Sequence, residues 1–449
     1  MKLYSTNNPE QLVDFKTAVF NSMPLDKGLY MPAEIPVLSP DFLEHIEQYS
    51  LPEIAFKVAT ALIGDAMPAA ALKAIIDDAI SFDAPLKKLD QHTQVLELFH
   101  GPSLAFKDFG ARFMSRVMSY FLQEGEQLLD VLVATSGDTG GAVALGFLGV
   151  PNTRVTILYP KGKVSAIQEL QLCTNGQNIQ VLEVEGTFDD CQQLVKEAFA
   201  DTELNAKLRL TSANSINIAR LIPQTFYYFN AWAQLRRQGV ERMVVAVPSG
   251  NFGNIAAGLL AQRMGLPVAQ FIAATNANDT VPRFLETGVY ETRKSVQTYA
   301  NAMDVGAPSN WVRIMELFKG DASALKQVLK GYRFTDEETI AAIKELYARH
   351  GYIACPHTAI AWLATQAYQA EHQDSDSKGY NSDDSKAVCL FLSTAHPCKF
   401  PDALPAEIAS KVIVPEVVEA LKHKQRQSTS MSVNYPLFKA YLLKRPNEV

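Results

Sequence analysis

Cysteine is scarce and scattered in this chain: Cys173, Cys191, Cys355, Cys389 and Cys398 are odd in number, far apart and set mostly in apolar segments. No pair has zinc-ligand spacing, so the thiols read as reduced core residues of a cytosolic protein, and no metal is expected. A surplus of positive charge is missing too. Asp and Glu outnumber Lys and Arg by 48 to 41, which gives no reason to expect a nucleic-acid or anionic-membrane partner. An anionic substrate would need positive groups gathered locally. No uninterrupted apolar span is long enough to cross a bilayer, and Met1-Lys2-Leu3-Tyr4 leads into polar sequence without an apolar leader. A soluble cytoplasmic protein is expected, with no obligate protein partner and no internal repeat.

What is present is ample core material. With 449 residues, 47% of them hydrophobic, the chain exceeds the size at which one core stops growing, and two or three domains are expected. Residues 1–90 hold short amphipathic pieces punctuated by Pro24, Pro32, Pro36, Pro40, Pro52 and Pro68, and read as a mainly helical N-terminal domain. From Val95 onward short apolar runs with β-branched content (131–134, 155–159, 179–184, 243–247, 271–275 and 388–392) alternate with helical periods such as 142–148, 188–199 and 216–235. That rhythm argues for α/β layers around largely parallel sheets. Thr335-Asp336-Glu337-Glu338 forms a capping box whose helix should stop at Gly351. The Asp- and Ser-rich stretch 371–386 reads as a solvated surface loop.

Chemistry concentrates in a few places. After the apolar run 95–99 and a Gly-Pro turn, Phe106, Phe109, Phe113 and Val117 recur at helical spacing, with Ser103 placed to cap the start. Lys107 then lies in the first helical turn, where the dipole disfavours an ammonium; such a lysine can become a nucleophile toward an aldehyde. A surface lysine with a buried stem is the competing reading. Thr135-Ser136-Gly137-Asp138-Thr139-Gly140-Gly141 links a strand to a small-residue helix and suits a substrate carboxylate, or is a plain capped turn. Pro248-Ser249-Gly250-Asn251-Phe252-Gly253-Asn254 can fold its N–H groups into a phosphate nest and lacks the Lys-Ser/Thr ending of a nucleotide loop. Ser393-Thr394 ends a strand, where a neutral hydroxyl could meet a heteroaromatic nitrogen; His396 beside it is either a base or a structural turn residue. Asn217, Arg220 and Gln224 share one helix face, and Arg220 has the planar fork suited to phosphate. Lys163 and Ser165 are second choices for the same anion.

A helix-borne lysine, a hydroxyl-glycine loop and a glycine-Asn nest, in that order, resemble fold-type II pyridoxal-phosphate enzymes. The segments 100–108, 134–140 and 248–253 are similar to the threonine synthase family, as are 26–32, 212–217, 273–276, 301–305 and 394–397. The resemblance spans nearly the whole chain. It implies two open, mostly parallel sheets flanked by helices: residues 91–230 with the lysine and carboxylate loop, residues 231–449 with the cofactor-phosphate loop. Lys107 would hold pyridoxal 5'-phosphate through a Schiff base, Gly250, Asn251, Phe252, Gly253 and Asn254 would cradle its phosphate, and Thr394 would face its ring nitrogen. The residues themselves, and not the resemblance, point to Ser136, Asp138, Thr139, Asn217, Arg220 and Lys163 as those that would meet the substrate. Asp138 stands where β-replacing relatives such as cysteine synthase carry Asn. The implied reaction turns O-phospho-L-homoserine and water into L-threonine and phosphate, by deprotonation at Cα and then Cβ, loss of phosphate and water addition at Cβ. The rival readings are a serine/threonine dehydratase or cysteine synthase type of enzyme and, more remotely, a non-catalytic ligand-binding homologue.

Overall fold

The computed structural model describes residues 1–122, 127–376 and 387–444. Two α/β sheets carry the molecule. In the smaller one, Thr429–Met431, Ile179–Val184, Thr153–Pro160, Leu129–Ala134 and Arg209–Ser212 lie side by side, all parallel. The larger runs Leu329–Arg333, Val268–Thr275, Met243–Pro248, Val388–Ser393, Thr93–Glu97 and Leu86–Lys88, parallel except for the last pair. The central strands are Val-, Ile- and Leu-rich because helices cover both faces, and every residue of Leu129–Ala134, Met243–Pro248 and Val388–Ser393 is buried. Strand Thr93–Glu97 precedes the lysine helix yet joins the larger sheet, while Thr429–Met431 returns late to the smaller one.

The first ninety residues are mainly helical, as expected, with Leu51–Ile63 and Ala69–Ala79 as the longest pieces. They also hold an antiparallel sheet, Asn8–Asp14, Lys2–Ser5 and Tyr30–Pro32, that proline punctuation did not suggest. Its outer strand is largely exposed, so it lacks the apolar alternation that marks a strand in sequence.

Other local expectations fare unevenly. The Thr335 capping box forms and Gly351 closes that helix in the left-handed conformation. The helical period at 216–235 is two helices, Ile218–Leu221 and Gln224–Arg237, because Pro223 lacks the N–H needed to continue the first. Ser103 does not cap the Lys107–Phe121 helix, which starts without a side-chain cap. The polarity is reversed: Ser103 N–H donates to Asp108 Oδ2 at 2.9 Å. The Pro356–Asp376 helix runs into the stretch 371–386 expected to be a loop; positions 377–386 lie outside the described residues. All five cysteines are buried, and none is in a disulfide. Among the described residues, no helix is long and apolar enough to cross a membrane.

Candidate active site

A cavity of about 1200 Å³ opens at the C-terminal ends of strands from both sheets, where strand-to-helix loops leave helix N-termini pointing inward. Lys107, Ser136, Asp138, Thr139, Arg220, Gly250, Asn251, Phe252, Gly253, Asn254 and Thr394 all line it. Lys107 is the first residue of its helix, whose Phe109, Phe113 and Val117 are fully buried and fix its orientation. Its Nζ donates to Thr139 Oγ1 at 3.1 Å. Burial, helped by the nearby cations Arg220 and Lys399 and opposed by Asp138, lowers the amine from 10.5 to about 8. Leu104, three residues earlier, adopts φ 58°, a left-handed conformation unusual for leucine, and the turn is pinned by Phe106 N–H to Thr394 O at 2.9 Å and His396 N–H to Leu104 O at 3.0 Å. The lysine and the Thr394 strand end are thereby fixed to each other.

In the 135–141 loop, Thr135 Oγ1 accepts from Gly137 N at 2.9 Å and Gly140 N at 2.8 Å, so this hydroxyl shapes the loop from within. Gly137 has φ 128°, and a Cβ there would also strike Gln168. Burial would raise the Asp138 carboxyl, but Lys399 at 2.8 Å and Gln168 outweigh it and hold the group low.

The 248–254 loop turns through Phe252 in the left-handed region, φ 59°, into the Gly253–Arg263 helix. Gly250 packs where no side chain fits: a Cβ would lie 2.6 Å from Met303 Cα. That neighbouring turn is held in turn by His357, whose Nε2 accepts from Ala302 N at 3.2 Å. Tyr227 and Tyr228 hydroxyls both donate to Asn254 Oδ1, at 2.7 and 2.6 Å, leaving Asn254 Nδ2 buried without a partner among the described residues. An unused buried donor beside helix-opening N–H groups is the chemistry a phosphate requires.

Arg220 is buried; its Nη1 donates to Ala213 O, and its Nε has no partner among the described residues. Burial lowers it to about 10, so it stays charged. Asn217 is not beside it in the cavity. It caps the Ile218–Leu221 helix through Ala219 N–H and donates to Val19 O and Ser212 O, which uses its side chain fully. Lys163 is exposed and outside the lining, and Ser165 caps the Ala166–Cys173 helix. His396 also caps, accepting Cys398 N–H at 3.2 Å. Sequence reasoning gave no role to Asn214 and Ser215, which line the cavity at the start of the Arg220 segment, and passed over His357 and Lys399. Ser215 Oγ accepts from Asn251 Nδ2 at 2.8 Å and Asn310 Nδ2 at 3.1 Å. A lysine inside the apolar run Pro397-Cys398-Lys399-Phe400-Pro401 was the available signal for Lys399.

The family described as "Pyridoxal-phosphate dependent enzyme" matches residues 85–380, and the one described as "Threonine synthase N terminus" matches residues 2–80. Threonine synthase from Haemophilus influenzae is 43% identical over 446 residues, 99% of this chain and 100% of that one. The chain belongs to the threonine synthase family. Among solved structures, threonine synthase from Escherichia coli superposes with a TM-score of 0.89 at 40% identity, covering 99% of each chain. The pyridoxal-phosphate-bound threonine synthase from Brucella melitensis gives 0.88 at 35% identity, covering 98% of each. Pyridoxal phosphate is the cofactor of this threonine synthase family member, and the orphaned Asn254 Nδ2, the glycine cradle and the depressed lysine amine fit it.

Proposed function

We propose that this chain is a threonine synthase acting on O-phospho-L-homoserine and water in the cytoplasm, with L-threonine and phosphate as products. One observation carries the reading: a single cavity holds a half-buried lysine amine of lowered proton affinity together with two separate anion-accepting regions, Gly250–Asn254 and Arg220. One suits the cofactor's phosphate. The other, with Asn214 and Ser215 at the same wall, suits a phosphate on the substrate, which a serine dehydratase or cysteine synthase would not need.

When bound, pyridoxal phosphate supplies the electron sink that acidifies the substrate Cα–H and then Cβ–H. Lys107 holds the cofactor and, once released, is the group whose Nζ takes and returns protons. Its lowered affinity leaves a large neutral fraction near pH 8, where a lysine in water would be almost wholly charged. Thr139 orients that nitrogen. The N-terminus of the Asp138–Phe147 helix, with Ser136 and Thr139, receives the substrate carboxylate; Asp138 belongs to this loop, but its own carboxylate, held by Lys399, is no donor to another anion. Thr394 meets the ring nitrogen with a neutral hydroxyl, which stabilises a protonated ring less than a carboxylate would. Arg220 holds the substrate phosphate until it leaves.

Lys107→Ala tests the assignment. We expect the protein to lose its cofactor absorbance and at least about four orders of magnitude of phosphate release from O-phosphohomoserine, since covalent attachment and proton transfer both fail. Retained turnover would exclude Lys107.

A further inference from the structure

Asp138 and Lys399 form an ion pair inside the protein, Oδ1 to Nζ 2.8 Å, with side chains 7% and 0% exposed. Desolvating two charges offsets most of their attraction, so stability alone is a weak reason for such a pair. Its placement says more. Lys399 Nζ also donates to Ser103 O at 2.8 Å, in the turn that leads into Lys107. Gln168 Nε2 donates to Asp138 Oδ1 at 3.0 Å, because its own Oε1 is committed to Ser165 N–H. Both bonds fall on one oxygen. Asp138 Oδ2 accepts none from the described residues, and the side chain lines the cavity beside Lys107.

We propose that Lys399 is a positioning residue that keeps Asp138 ionised and turned toward the cavity, so that the pair sets the proton affinity of the Lys107 nitrogen. The charged groups facing Lys107 are Arg220 and Lys399, which disfavour a proton there, and Asp138, which favours one. His357, which faces Asp138, Lys107 and Lys399, is pushed down to about 4 by burial and is neutral. Asp108 faces Lys399, Arg112 and Arg220. Removing the Asp138 charge alone leaves Lys107 between two cations. Removing both charges of the pair returns it close to its original field.

The test is the pH midpoint of the cofactor's visible absorbance in the holoenzyme. Asp138→Asn keeps the side-chain shape and an acceptor for Lys399, and should lower the midpoint by about one unit or more. Asp138→Asn combined with Lys399→Met should bring it most of the way back. Reductive methylation of Lys107 in the cofactor-free full chain, followed by peptide mass against pH, should give the same order. An unchanged midpoint in Asp138→Asn, or a double variant no different from the single one, overturns the proposal. The proposal uses Lys107 as the cofactor's lysine only in the absorbance arm. If the visible band survives Lys107→Ala while the methylation order holds, that assignment fails and the pair's role stands.

Discussion

Arg220 presents a buried guanidinium whose Nε finds no partner among the described residues, a costly arrangement unless an incoming anion completes it. Losing one charge-assisted contact in such a site costs about 1.5–3 kcal/mol. Arg220→Leu should therefore lower kcat/KM for O-phosphohomoserine by roughly one to two orders of magnitude, at about 1.4 kcal/mol per decade, while cofactor content stays intact. Steady-state kinetics with absorbance of the bound cofactor checks this; loss of the cofactor would move Arg220 to the other phosphate. Asn217 offers the contrast. As a helix cap with its side chain fully used, Asn217→Ala should cost about 1–2 kcal/mol of stability in urea unfolding and leave kcat/KM of the folded enzyme within a fewfold. The two residues look equivalent in sequence, three apart on one helical face. Pro223 marks the helix break in the sequence, but the approach of Val19 O and Ser212 O that commits Asn217 as a cap leaves no local signal. The first-turn position of Lys107 was legible because its signal is local, a helical apolar stripe beginning beside it. That stripe alone read equally as a surface lysine, and only the two glycine-rich loops further on pointed to chemistry.

Among the elements, the phosphate loop makes the sharpest demand. A Cβ at Gly250 would meet backbone at 2.6 Å, whereas at Gly253 the nearest atom is Asn310 Nδ2 at 3.3 Å, an amide end able to shift. Gly250→Ala should displace the Asn301–Met303 turn, weaken cofactor retention at least tenfold on dialysis and lower Tm. Gly253→Ala should retain the cofactor within about threefold. Equal losses in both would mean that loop flexibility, and not the close approach, fixes the cradle. The glycine pattern was readable, but the burdened glycine was not, since Met303 is 53 residues away in sequence. Ser103 failed as a cap because the helix begins at Lys107, with Phe106 at the cap position, three residues beyond it.

Across the whole molecule, the chain crosses between the sheets and ends by closing the smaller one. Met431, Phe438 and Leu442 pack on Leu132, Leu158 and Leu182, and Phe438 has no exposed surface. Phe438→Ala should destabilise the protein by about 3–5 kcal/mol, read as a lower unfolding midpoint in denaturant; a change under about 1 kcal/mol would show that the C-terminal helix is an appendage. The alternation of apolar runs and helical periods disclosed the parallel α/β architecture. It could not disclose that Thr93–Glu97 joins the larger sheet, or that Thr429–Met431, mostly exposed, pairs with Ile179–Val184. Such pairings are long-range and leave no periodicity.

The most direct test of the account is product analysis of the purified holoenzyme offered O-phospho-L-homoserine and, separately, L-serine. Two anion-accepting regions in one cavity predict threonine and inorganic phosphate in equal amounts from the first, with serine turned over at least about a hundredfold more slowly for want of a group to engage Arg220. Rapid pyruvate formation from serine with no threonine from the phosphate ester would contradict it.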